Sequence, residues 1–207
     1  MDHRKSALLA LSVFVIDRAA VSVLNLLRAS MSQPTRIAYL NLTTLVFVWG
    51  LPLLVVYRIE RRGAESLGLK VPRERYAMYS LYGLLGLVLP GVFLGYSVGF
   101  IWELLEQILF IGLAEEFFYR GYLMTRLCDW LGDRRGLVLN AIVFSLAHAT
   151  FLLTRYGLSE AAFTLTSMAQ TFLGGILMGY MFLRSGNIVP GAVLHISMNL
   201  YLSRLFT

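Results

Sequence analysis

Charge is scarce in this sequence. Only 14% of its 207 residues are Asp, Glu, Lys or Arg, while 57% are hydrophobic; soluble domains carry roughly 25% charged residues. An ordinary water-soluble globule is therefore excluded, and the mean hydropathy of +0.68 agrees. Cysteine is nearly missing. The single Cys128 excludes an intrachain disulfide and reads as a small buried hydrophobe. No G-x-S-x-G is present, which removes the nucleophile-elbow route to hydrolysis. H-E-x-x-H and glycine-rich phosphate loops are absent too. The net charge of +6 does not argue for nucleic acid, because the basic residues gather at the ends of apolar runs.

Apolar runs long enough to cross a hydrocarbon core of ~30 Å are abundant. They predict an all-α polytopic transmembrane helix bundle of about seven spans. Residues 1–207 form a single integral membrane domain with the lipid bilayer as its solvent. Asp2-His3-Arg4-Lys5 precedes a first span over 7–27, retained because no A-x-A-like cleavage site follows. Asp17 and Arg18 lie inside it and are expected to pair with another helix. A second span over 37–57 carries a kink at Gly50-Leu51-Pro52. Residues 58–75, rich in Arg and Lys, read as a solvated cytoplasmic loop. A third span over 76–100 has a kink at Pro90 and a small-residue stripe at Gly91, Gly95 and Gly99, suited to close helix packing. Further spans cover 101–127, 136–156, 161–183 and 188–206. Gly175 and Gly179 form a second packing pair, and Arg184-Ser185-Gly186-Asn187 a tight turn. With the N-terminus inside, twelve Lys and Arg fall on the inner side and four on the outer. That bias places the N-terminus in the cytoplasm of a cell-membrane protein.

Ala114-Glu115-Glu116-Phe117-Phe118-Tyr119-Arg120-Gly121 sits inside the span over 101–127. Each ionisable group at a helix centre costs at least ~2.5 kcal/mol on insertion scales. Glu116 and Arg120 are i and i+4 and can pair on one face. Glu115 points about 100° away and is left to face something else. At ~1.5 Å per residue, Glu115 lies roughly 16 Å from the cytoplasmic end of its span, His148 roughly 20 Å and His195 roughly 14 Å. Asn199 is one turn beyond His195. Polar groups at such depths turn inward and find one another. A carboxylate and an imidazole around one water can act as general base and proton shuttle. A second imidazole and an amide can donate to a developing oxyanion. Glu115, His148 and His195 are equally compatible with a zinc site that keeps one open position. A non-catalytic membrane binding protein or transporter using the same polar cavity is the alternative.

Three motifs in order carry a family resemblance: Glu115-Glu116-x-x-x-Arg120, Phe144-x-x-x-His148 and His195-x-x-x-Asn199. They resemble the EExxxR, FxxxH and HxxxN/D motifs of the CAAX protease and bacteriocin-processing (CPBP, or Abi) family of intramembrane proteases. The resemblance covers residues 101–203, and Glu65-Ser-Leu-Gly-Leu-Lys70 resembles a weaker family feature. Tyr119 stands where many relatives have Phe. The resemblance implies an intramembrane endopeptidase acting on a membrane-associated peptide or protein. It implies that Glu115 with His148 activates water, that His195 and Asn199 stabilise the oxyanion, and that Glu116 and Arg120 complete the motif. The family carries both a metalloprotease description and a metal-free glutamate mechanism, and the resemblance leans to no cofactor. Eukaryotic-type members remove the last three residues of prenylated CaaX proteins; this chain resembles the small prokaryotic kind.

Overall fold

The computed structural model describes residues 1–27, 30–71, 75–78, 80–83, 85, 98–157, 159 and 161–202. Helix α1, His3–Leu27, is continuous. Its buried residues Ala7, Ala10, Val13, Asp17, Val21 and Leu24 recur every three or four positions, the stripe of a helix with one packed face. Leu8, Val15, Ile16, Val23 and Leu26 are exposed, as lipid-facing residues would be. Asp17 lies in the packed stripe, but its partner is not on another helix. The guanidinium of Arg18 folds back onto it, with Nε 2.8 Å from Oδ2. A long flexible cation beside a carboxylate can neutralise it without help from a neighbour.

Helix α2, Gln33–Glu60, starts at Ser32, whose hydroxyl accepts the Thr35 amide at 3.4 Å. Pro52 has no N–H, yet the helix does not break. It widens into π turns at Thr44–Gly50 and Val55–Glu60, on either side of Leu51–Leu54.

The segment after α2 is more than a solvated loop. Its 3₁₀ turn, Ala64–Leu67, buries Leu67 completely. The Ser66 carbonyl accepts from Arg126 at 2.7 Å, and the Gly68 carbonyl accepts from the Ile188 amide at 3.1 Å. The weak family feature over residues 65–70 thus docks onto the bundle. Of the span over 76–100, residues 76–78, 80–83, 85 and 98–100 are described as helical. Pro90, Gly91 and Gly95 lie outside the described residues.

The single span expected over 101–127 is two helices. Helix α3, Val98–Leu109, ends where the Phe110 and Ile111 amides both turn to the Glu106 carbonyl, at 2.9 and 3.2 Å. The Trp49 indole donates to the Leu109 carbonyl at 2.9 Å and satisfies that helix end. Helix α4 then occupies residues 112–131, with Gly112–Glu115 and Thr125–Leu131 α-helical and Glu116–Met124 in π register between them. Every residue of the π segment is buried, so α4 is the central helix.

Helix α5, Asp133–Tyr156, packs along α6, Ala161–Ser185. The expected glycine pair makes this contact: a Cβ on Gly175 would lie 3.2 Å from Ala141, and one on Gly179 would meet Leu137 and Met124. Gly186 takes φ +70° in the tight turn. Helix α7, residues 189–202, follows, with the Val189 amide capped by Asn187 Oδ1 at 2.7 Å. Among the described residues the only extended pairing is the isolated bridge Leu69–Asn187. Among the described residues, four helices are long and apolar enough to cross a membrane: His3–Leu27, Gln33–Glu60, Asp133–Leu153 and Ala161–Ser185.

One end of the bundle gathers the N-terminus, residues 58–71, the end of α4 and the α6–α7 turn. Arg62 meets Asp129 at 2.6 Å there, and the Ser6 hydroxyl donates to Glu60. Arg126 is fully buried and joins Glu60 Oε2 at 2.6 Å while lying over the Tyr122 ring. Removing one partner of a buried ion pair strands the other charge. Arg126→Ala is expected to lose about 3–5 kcal/mol of stability, read as a lower melting temperature in detergent. A melting temperature equal to wild type would contradict the clamp.

Candidate active site

Each carboxylate of the Glu115-Glu116 pair has its own environment. Glu116 Oε1 accepts from Arg120 Nη1 at 2.8 Å, the i,i+4 pair within α4, and both side chains are sealed from solvent. The wider π turn leaves residues four apart on one face. The same Glu116 oxygen lies 3.1 Å from His195 Nδ1. A carboxylate accepts, so Nδ1 carries the proton and Nε2 is the ring's outward atom. That Nε2 stands 3.8 Å from Glu115 Oε2. Glu115 is the open member: its side chain is 28% exposed, against 1% for Glu116.

Phe144 connects the two histidines. Its ring is edge-on to His148 at 4.7 Å and to His195 at 6.1 Å, and the Arg120 guanidinium sits over it at 4.3 Å. His148 Nδ1 donates to the Phe144 carbonyl at 3.0 Å. A carbonyl only accepts, so His148 Nε2 keeps a lone pair. The phenylalanine of FxxxH therefore both separates the polar groups and fixes one tautomer.

Glu115, Tyr119 and His148 share the wall of a cavity of about 370 Å³. The opposite wall comes from α1 and α2, through Asp17, Arg18 and Thr44 among others. Tyr119 faces this cavity. Asn199 stands apart from it. Its Nδ2 donates to Gln107 Oε1 on α3 at 2.8 Å, one turn of α7 beyond His195. The structure thus joins Glu115, Glu116, Arg120 and His195 directly, links His148 through Phe144, and ties Asn199 to α3.

Several contributors are silent in the motifs. Gln107 lies in a short amphipathic helix and carries no distinguishing pattern. Asp17 and Arg18 drew attention only as costly charges in an apolar run. Gly191 has a particular reason to be glycine: a Cβ there would lie 2.9 Å from Glu116 Oε2. As for metal, among the described residues no three His, Cys, Asp or Glu side chains converge closely enough to hold an ion. Glu115, His148 and His195 do not form a coordination shell, and no step below passes through one.

Ionisable groups thus converge inside a bundle of apolar helices, beside a cavity of about 370 Å³. Residues 97–201 match the family described as Rce1-like, type II CAAX prenyl endopeptidase Rce1-like. The chain belongs to that family and is a CAAX-type peptide hydrolase of the membrane. No curated protein and no solved structure matches it.

Three substitutions check the buried cluster. Arg120→Ala is expected to lower stability by about 3–5 kcal/mol by stranding Glu116, and Glu116→Gln to be milder, since the amide still bonds Arg120. Gly191→Ala is expected to displace the Glu116 carboxylate and to lower both the melting temperature and peptide cleavage. Thermal melting and cleavage of one peptide, measured side by side, read both effects.

Proposed function

We propose that the chain is an intramembrane endopeptidase that hydrolyses a peptide bond of a membrane-associated or lipidated substrate, using water activated by Glu115 and His148. The observation that carries the reading is the difference between the two carboxylates. Glu116 Oε1 is taken by Arg120 and His195 and its side chain is sealed at 1% exposure, while the Glu115 side chain is 28% exposed and opens onto the cavity. Glu115 takes a proton from water as the oxygen attacks the scissile carbonyl. His148 receives that proton from Glu115 on Nε2 and gives it to the amine nitrogen as the C–N bond of the tetrahedral intermediate breaks.

The oxyanion then meets His195 and Asn199. His195 donates from Nε2 as an imidazolium, which the Glu116 carboxylate on Nδ1 supports. Asn199 Nδ2, one turn of α7 beyond His195, is held in place by Gln107 Oε1. Arg120 positions Glu116 and touches no substrate. The mechanism uses no cofactor.

The expected kinetics follow from these roles. Glu115→Gln keeps shape and loses the base, at a cost of ~10²–10⁴ in rate. His148→Ala abolishes the proton shuttle. His195→Ala removes an oxyanion donor at ~10²–10³ in rate, and Asn199→Ala gives a partial loss. The assay is cleavage of a quenched peptide with a hydrophobic anchor by purified protein. Full activity of Glu115→Gln would overturn the assignment. Loss of activity to a chelator, restored by zinc, would overturn the metal-free route and keep the protease.

The orientation belongs to the same proposal: N-terminus and residues 58–71 in the cytoplasm. Burial of Arg126 removes one charge from the inner group and leaves the bias intact. Single-cysteine variants in a Cys128→Ser background, labelled in sealed vesicles, test it. Labelling of residues 58–71 from outside would reverse the orientation.

A further inference from the structure

Hydrolysis consumes a water in every turnover, and a bundle of apolar helices is a poor place to keep one. The cavity beside Glu115 has an inner recess of about 60 Å³. It reaches Ala114 and Phe118, both sealed in the core. One water needs roughly 10–15 Å³ of such space and ~2–4 polar partners to stay in a buried site. A few waters therefore fit. Five polar side chains line the recess: Asp17 and Arg18 from α1, Thr44 from α2, and Glu115 and Tyr119 from α4.

The Asp17–Arg18 pair has no other duty in the bundle. Ionisable side chains inside a spanning helix pair across the bundle or line a polar path. This pair is made between neighbours on one helix, with Arg18 Nε and Nη2 both given to Asp17 Oδ2. It joins α1 to no other helix. Asp17 is buried, Arg18 is only partly exposed, and both face the recess. The pair is explained by what it keeps polar. Tyr119 is placed in the same way. The Phe14, Phe118 and Phe144 rings pack around its own, at 6.3, 5.2 and 4.9 Å between centroids, while the residue lines the recess. The other two helices of the recess change register here. α2 enters its π turn at Thr44 and α4 at Glu116, as helices do at functional positions.

We propose that the recess between α1, α2 and α4 is a water-holding site: the Asp17–Arg18 pair, Thr44 and Tyr119 retain the water from which Glu115 takes a proton. The proposal rests on the proteolytic reading of Glu115. Asp17 and Arg18 are positioning residues that act on the reaction through the water. They come from outside the segment that matches the family.

The experiment has a hydration arm and a kinetic arm. In the first, protein in lipid nanodiscs receives a brief X-ray pulse that turns bound water into hydroxyl radicals, and tyrosine oxidation is read by mass spectrometry. Tyr119 is nearly closed to outside solvent, so its label reports water held inside. Tyr122, fully buried and absent from the recess lining, is the blank. Wild type is expected to label Tyr119 well above Tyr122. The apolar pair, Asp17→Leu with Arg18→Met, should bring Tyr119 down to the blank. The polar pair, Asp17→Asn with Arg18→Gln, should keep most of the label. In the second arm, the apolar pair is expected to lower kcat about tenfold or more with KM unchanged, as loss of a positioned reactant does. The polar pair should recover most of that rate. Apolar groups in place of a buried ion pair often leave stability equal or higher, so the melting temperature of the apolar pair should not fall. Thr44→Val removes one hydroxyl and little volume. It should give an intermediate loss in both arms, and it carries the test if the apolar pair does not fold. Wild-type labelling of Tyr119 in the apolar pair overturns the proposal. A rise in KM in place of the loss in kcat also does, since it would mark a substrate contact. So does a polar pair as slow as the apolar one, which would mark charge and not water as the requirement. Labelling that depends on the pair, with no cleavage by wild type, would keep the water site and reject the protease reading.

Discussion

A carboxylate and a guanidinium held in an apolar interior must meet, because neither has water to turn to. The Glu116–Arg120 pair is that requirement in this bundle. Once formed, it constrains its surroundings. Glu116 Oε1 serves Arg120 and His195 together, so α7 is bound to α4 through a shared acceptor. The guanidinium needs a neighbour that tolerates its charge, and the face of Phe144 supplies one on α5. The close approach of α7 requires a residue without a side chain at Gly191. Three helices are thereby registered to within a hydrogen bond by one ion pair. The chemistry sits on its edge: Glu115 and the His195 Nε2 are the parts of the cluster that face outward from the pair.

The second buried ion pair, Glu60–Arg126, does analogous work at the far end of α4. It fixes the segment after α2 against the central helix and brings Leu67 into the core. Between these two clamps α4 runs in π register. π turns recur at functional sites because they let a helix place side chains that an α turn would misdirect. Here the register sets Glu116 and Arg120 on the inward face and leaves Glu115 and Tyr119 on the cavity.

Much of this was legible in the sequence, for identifiable reasons. Low charge and long apolar runs fix a helical bundle in a membrane, and the stripe along α1 follows from a 3.6-residue period. The i,i+4 spacing of Glu116 and Arg120 is local and needs no fold to be seen. The separate duties of Glu115 and Glu116 follow from helical geometry alone. What stayed hidden is of two kinds. The break at Phe110–Ile111 has no proline to mark it; it depends on Trp49, sixty residues away, accepting the role of cap. Contacts distant in sequence are the other kind: Glu60 with Arg126, Gln107 with Asn199, and Asp17 with Arg18 set on a cavity whose remaining wall is on α4 and α5. Depth along each helix was readable, but depth does not say which faces look at each other.

That cavity has two owners. The groups proposed to break the bond lie on α4, α5 and α7, inside the segment shared with the family, whereas the wall opposite is built by α1 and α2, which precede that segment. Each half can therefore change under its own selective pressure. Drift in the first two helices can reshape what the cavity accepts while the hydrolytic cluster stays as it is, and a chimera carrying another member's first two helices on this catalytic half would inherit the donor's choice of peptide with the recipient's hydrolytic residues. The fold separates inheritance of reaction from inheritance of taste.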